Sequence, residues 1–324
     1  MRLTFYSLLL GGVAFPAALP GLATAPPPAA PRPHRLDATA AFTLPFDLVG
    51  GLIVLRNLTL NGQPGDFILD TGNATALVVD NAAYAGHLAA TQRAGYGATG
   101  TMAVQALPVT NFQLGPARYT GFAADAIPLA HVRRYAGDRV RGLIGYGLLR
   151  DYEVVIDYPH RRVSWYTLRT STPARRPFAR RDSLAFALVR GVPVADGAVG
   201  QVLGHWLLDT GAATNQLDAR FCRTLAPADR PTAQGTAPLT GSDGHPQVAQ
   251  VGILPEVVLA GTAWRQMPVQ VLAFARPASG RPLAYQGTLG FPFLSQDHVI
   301  SFHYGRQQFY TLTPVVAPAR GGRR

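Results

Sequence analysis

The sequence predicts an all-β protein built as two homologous, barrel-like lobes, and three observations carry that expectation. First, its 324 residues include 34 glycines and 27 prolines with no collagen-like period, a composition that suits short strands joined by tight turns better than long helices. Second, runs such as G-G-L-I-V-L-R-N-L-T-L, G-D-F-I-L-D and Y-E-V-V-I-D-Y are short, β-branched or aromatic, and bounded by Gly, Asn or Pro, as strands are. Third, several motifs occur twice, in the same order and at a nearly constant offset. An apolar content of 48% against 15% charged residues supplies the core that such a fold needs.

Taken in order, the chain opens with Met1-Arg2 and an apolar run over residues 3–18, followed by small residues through Ala25. This reads as a secretory signal over residues 1–25, with cleavage after Ala23 or Ala25, and predicts an exported protein, periplasmic or extracellular. No later stretch reaches the roughly 18 uninterrupted apolar residues of a membrane helix, so no membrane span is expected. Residues 26–41 are a Pro-rich tether, extended and poor in backbone donors. Residues 42–168 form the amino-terminal lobe and 182–312 the carboxy-terminal lobe. Between them, 169–181 (R-T-S-T-P-A-R-R-P-F-A-R-R) is polar, broken by proline and aperiodic, and is read as the linker. Residues 313–324 are a basic tail. Only 81–90 and 218–225 look like single helical turns or short helices.

The repeat is the most informative feature. F-I-L-D-T-G ends at Gly72 and W-L-L-D-T-G at Gly211, so Asp70 and Asp209 stand 139 positions apart (209 − 70). G-Y-G-A-T-G at Gly95 is answered by T-G-S-D-G at Thr240, and G-L-I-G at Gly142 by G-T-L-G at Gly287. The lobes also close alike, on V-S-W-Y at Tyr166 and Q-Q-F-Y at Tyr310.

An apolar run ending in Asp-Thr-Gly is a buried strand that delivers a carboxylate to a sharp turn, which glycine permits. A carboxylate beside an apolar core is costly unless it is hydrogen-bonded, paired with a charge, or shares a proton with another acid. No basic residue adjoins either copy. If a pseudo-twofold axis relates the lobes, Asp70 and Asp209 meet on it, and two acids in contact cannot both ionise. Such a pair can split an amide: the ionised member takes a proton from water, and the protonated one polarises the carbonyl.

On these residues the sequence resembles the pepsin and retropepsin superfamily of aspartic peptidases, most closely bacterial, exported single-chain proteins that carry a retropepsin-like lobe twice. The resemblance covers residues 42–312 and rests on both Asp-Thr-Gly triplets and both G-ϕ-ϕ-G segments. It implies the bilobal acid-protease fold with pseudo-twofold symmetry, and endopeptidase activity with Asp70 and Asp209 as the catalytic acids. It further implies that Thr71 and Thr210 brace each other's loops, that Gly72 and Gly211 let backbone amides approach the carboxylates, and that 142–145 and 287–290 fold into the loop behind each acid. A flap over an extended polypeptide substrate would include Tyr96 and Gly97, with 240–245 as its counterpart. No cofactor and no metal are implied, and two acids per chain make a monomer sufficient. The chain departs from the family pattern after the first triplet, where Asn73 stands opposite Ala212; Asn73 tolerates a left-handed turn and could hydrogen-bond Asp70.

The remaining chemistry is sparse. The net charge of +11 comes from 29 basic residues, all arginine and scattered in pairs rather than stripes, which reads as a solvated surface and not as a nucleic-acid site. Cys222 is the single cysteine and is read as a small core residue. His205 is expected at a strand end on the surface, Asp157 in a structural role, and no histidine pairing suits a helical zinc site. The rival reading is a non-catalytic module that holds a peptide or protein in the same cleft. An obligate dimer in the retroviral manner is a third.

Overall fold

The computed structural model describes residues 7–9, 32–37, 40–96, 101–169, 178–241, 244–274, 284–296 and 299–315. It is mostly β, in three sheets. An eleven-stranded sheet is built from the amino-terminal half and a nine-stranded sheet mainly from the carboxy-terminal half. In the second, an additional pairing of Val192–Val199 with Pro246–Leu259 curls the sheet back on itself. Closing a sheet in this way hides edges that would otherwise template aggregation.

The third sheet, of six strands, joins the halves. Ala41–Pro45, Tyr152–Asp157 and Arg162–Thr167 come from one half, and Phe178–Ala185, Val299–His303 and Gln308–Pro314 from the other. The halves meet where Tyr152–Asp157 runs antiparallel to Val299–His303, with Val155 opposite Ser301. Period-two alternation turns Val154, Ile156 and Phe302 into one large apolar cluster that also takes in Phe67, Trp165, Trp206 and Phe293. Val155, Val299, Tyr310 and Leu312 pack on the other face. Burying side chains of this size at about 1.5–3 kcal/mol each makes the shared sheet a major contributor to stability.

Several elements differ from the sequence reading. His34–Arg35, inside the expected tether, pairs with Tyr119–Thr120, and the strand Phe178–Ala185 begins inside the expected linker. Ser7–Leu9 of the leader lies as a short strand parallel to Leu239–Gly241. Helices are also more numerous than read. Beside the turn Ala85–His87 and the helix Ala219–Thr224, capped by Asp218 accepting from the Arg220 N–H, there are Ala130–Ala136, Tyr146–Leu149 and Phe291–Leu294. Ala130–Ala136 buries only Val132 and Ala136, one turn apart, too short a stripe to mark a helix in sequence. Cys222 packs half-buried against the core, and burial pushes its thiol pKa up. His205 is exposed on the strand Val202–Leu208, its Nδ1 2.7 Å from Asp196. Asp157 is buried and accepts from the His160 N–H at 3.1 Å, a structural tie.

Candidate active site

Each Asp-Thr-Gly triplet ends a buried strand and is backed by a short strand from further along its own half. Val140–Ile144 inserts parallel to Gln63–Leu69 and antiparallel to Leu77–Asp80, and the Asp70 N–H donates to the Ile144 carbonyl at 2.9 Å. Gly287–Leu289 does the same between Val202–Leu208 and Asn215–Asp218, and the Asp209 N–H donates to the Leu289 carbonyl at 3.0 Å. The G-ϕ-ϕ-G glycines are required by space. A Cβ on Gly142 would sit 2.2 Å from the Val78 carbonyl oxygen, and one on Gly290 2.5 Å from those of Ala212 and Thr214.

The two triplets face each other. The Thr71 N–H donates to Thr210 Oγ1 and the Thr210 N–H to Thr71 Oγ1, both at 3.0 Å. Each threonine hydroxyl in turn donates across the interface, Thr71 to the Leu208 carbonyl and Thr210 to the Leu69 carbonyl, both at 2.8 Å. These four buried bonds fix the spacing of the loops, because breaking any one strands a donor or acceptor away from water. The glycines then sit against the opposite acid: a Cβ on Gly72 would lie 2.5 Å from Asp209 Cγ, and one on Gly211 2.5 Å from Asp70 Oδ1.

Asp70 and Asp209 are both fully buried, each packed against the other triplet's glycine and close enough for their charges to interact. Asp209 Oδ1 accepts from the Gly211 N–H at 2.8 Å and the Gly72 N–H at 3.2 Å. Burial holds the Asp70 carboxyl well above the usual range, with the Asp209 charge and the bond to Asp209 adding to it. Burial also raises Asp209, to about 6, with the Gly211 amide and the bond from Asp70 pulling against it. Two backbone amides thus meet Asp209, and burial with mutual contact disfavours two charges on the pair. Such a pair can take one proton from a water while offering another.

The Asn73 side chain does not bond Asp70 as the sequence suggested, although the backbone N–H of Asn73, like that of Gly72, pulls the Asp70 pKa down against burial. The side-chain oxygen of Asn73 accepts from the Thr75 N–H and hydroxyl, both at 3.0 Å, and its backbone is not left-handed. The side chain lies against Gly145, where a Cβ would come within 2.6 Å of it, so Asn73 braces the backing loop. Tyr96 ends the strand Gln92–Tyr96, paired with Thr101–Val109, but its side chain and Gly97 lie outside the described residues. The second hairpin, Thr232–Gly241 with Pro246–Leu259, carries its turn to the other half: a Cβ on Gly244 would lie 3.4 Å from His131 Nδ1 on the helix Ala130–Ala136.

Sequence reasoning passed over two tyrosines. Tyr304 is buried, its hydroxyl has no hydrogen-bond partner among the described residues, and its pKa is raised by burial first and the Asp70 charge second. Tyr285 is likewise raised by burial, then by Asp209. A signal for Tyr304 existed. Tyr158 and Tyr304 follow the two G-ϕ-ϕ-G segments at similar distances, and each meets an aromatic from the opposite half, Tyr158 with Phe291 at 5.8 Å and Tyr304 with Tyr146 at 5.7 Å. Among the described residues no cluster of His, Cys, Asp and Glu is suited to hold a metal ion, and no helix is long and apolar enough to cross a membrane.

No curated protein matches the chain. Residues 57–148, which carry the first triplet together with the strand and turn that back it, match the family model for aspartyl proteases, and it is to that family that this part of the chain is similar.

Proposed function

We propose that this protein is an aspartic endopeptidase whose two acids come from duplicated lobes of a single chain, so that a monomer suffices. The observation that carries the reading is the reciprocal seating of Asp70 and Asp209, each fully buried against the other triplet's glycine. In the reaction the Asp209 carboxylate takes a proton from a water held between the acids, and the oxygen attacks the scissile carbonyl. The Asp70 proton passes to that carbonyl oxygen as the C–O bond forms. Collapse of the tetrahedral adduct then breaks the C–N bond: one adduct hydroxyl returns its proton to Asp70 as the carbonyl re-forms, and the proton held by Asp209 goes to the leaving nitrogen.

The substrate is an extended polypeptide. The pairing of Ser7–Leu9 with Leu239–Gly241 supports this, since that hairpin edge accepts an extended apolar segment. The apolar leader supports export to the periplasm or beyond, and the scattered arginines give no reason to add a nucleic acid to the partners. The test is hydrolysis of a denatured protein by the parent, Asp70→Asn and Asp209→Asn chains. Either substitution is expected to abolish cleavage. Undiminished activity in both would sink the dyad, whereas binding of peptides without cleavage by the parent would make the cleft a recognition module.

A further inference from the structure

The carboxy-terminal half holds a second concavity, whose lining includes neither acid. A cavity of 240 Å³ opens between the strand Phe178–Ala185, the hairpin that turns at Ala260–Gly261, and the helix Phe291–Leu294. Its floor is apolar: Leu184, Leu259, Phe293 and Phe309 are all buried, and half-buried Trp264 forms a wall with its ring 4.6 Å from that of Phe293.

The polar groups at the mouth are already engaged. Asp182 Oδ2 accepts from Arg181 at 2.8 Å and from the Thr311 hydroxyl at 3.0 Å, and the Asp182 N–H donates to Thr311 Oγ1 at 3.1 Å. The site therefore asks its occupant for apolar surface and not for charge. Its volume falls below the roughly 300–1,000 Å³ of pockets that enclose a drug-sized ligand, which suits one side chain.

The strand beside the cavity is an edge. Phe178–Ala185 is the terminal strand of the shared sheet and pairs, among the described residues, only with Gln308–Pro314. Arg181, Asp182 and Ser183 are exposed along it, while Leu184 turns into the cavity. An open edge offers a row of backbone donors and acceptors to an extended chain, and alternate side chains of such a chain point to one face.

We propose that this cavity is a docking site for an extended polypeptide, which adds to the edge of Phe178–Ala185 and buries one aromatic or large aliphatic side chain against Trp264 and Phe293. The site is independent of hydrolysis and goes beyond the proposed peptidase activity. It is tested in the full chain carrying Asp70→Asn/Asp209→Asn, so that no probe is cut and a failure of the peptidase reading leaves the measurement intact.

The probe is a dye-labelled, end-blocked nonapeptide of serine and threonine with one central phenylalanine, followed by fluorescence anisotropy. Replacing that phenylalanine by alanine is expected to weaken binding about tenfold or more, and methylating alternate backbone nitrogens of the probe to abolish it. Ala263→Phe, which fills the cavity from an exposed hairpin position, is expected to lose binding, as is Trp264→Ala, with unchanged circular dichroism. Trp165 and Trp206 are fully buried, so in the unsubstituted hairpin the change in tryptophan emission reports Trp264. Equal affinity for the phenylalanine and alanine probes, or binding unaffected by Ala263→Phe, would overturn the assignment. So would benzyl alcohol binding as tightly as the peptide, which would make the cavity a small-molecule pocket.

Discussion

Replacing both acids, Asp70→Asn/Asp209→Asn, keeps their shape and an acceptor oxygen for the Gly72 and Gly211 amides while removing the charge. In the parent, Asp209 moves from an ordinary 3.8 to about 6 on folding, and Asp70 is raised as well. A raised carboxylate binds its proton more tightly in the folded than in the unfolded chain. That preference favours the folded state fully at acid pH and is lost as pH rises from about 4 through about 6, so the parent should lose stability across that window. Asp209 alone accounts for about 2 pH units, or roughly 3 kcal/mol, and Asp70 adds to it. The asparagine variant escapes this loss. Its advantage over the parent should therefore grow by about 3 kcal/mol or more between pH 4 and pH 7, equivalent to about 5 °C or more in melting temperature. Calorimetric melts of both chains at unit pH steps would measure it. Any constant offset from the substitution cancels, because only the change with pH is read. Parallel pH profiles for the two chains would mean that the acids are not buried in contact, and the reasoning about their shared proton would fail.

Other outcomes follow from the same geometry. Thr71→Val leaves the Thr210 N–H and the Leu208 carbonyl without their partner, at about 1–3 kcal/mol each, and denaturant unfolding should show a loss of about 2–6 kcal/mol; a neutral result would refute the bracing role. Gly211→Ala drives a methyl into Asp70 Oδ1, and a displacement on the order of 1 Å is expected to lower kcat/KM about 100-fold while circular dichroism stays unchanged; near-parental kinetics would show that the loop yields freely. The hydrolytic rate should rise with pH through about 6, as Asp209 loses its proton while Asp70 keeps its own. A rate maximum near pH 3 would contradict that order of ionisation.

The all-β class and the pairing of Asp70 with Asp209 were legible because a duplicated motif reports its own importance: two triplets in matched surroundings constrain where each must lie. The G-ϕ-ϕ-G glycines were legible for the same reason, and the contacts that forbid a side chain at Gly142 and Gly290 explain why the pattern is written twice. What escaped reading depends on contacts distant in sequence. His34–Arg35 is a strand only because Tyr119–Thr120 offers an edge, and nothing local marks it. Asn73 looks like a partner for the neighbouring acid until the turn carries its amide toward Gly145. The cavity beside Trp264 joins pieces from four separated segments, and no spacing in the chain foretells it.

The six-stranded sheet, to which each half of the chain lends three strands, has a further consequence. A pair of lobes on a flexible stalk could open like a book, but here the spine is itself a continuous ladder of backbone bonds with aromatic rings driven through it from both covers. Swinging the halves apart would tear that ladder, so the two facing Asp-Thr-Gly loops are held at a fixed separation. For the same reason, severing the chain between residues 169 and 178 should yield two fragments that hold together through the spine and refold only in each other's company.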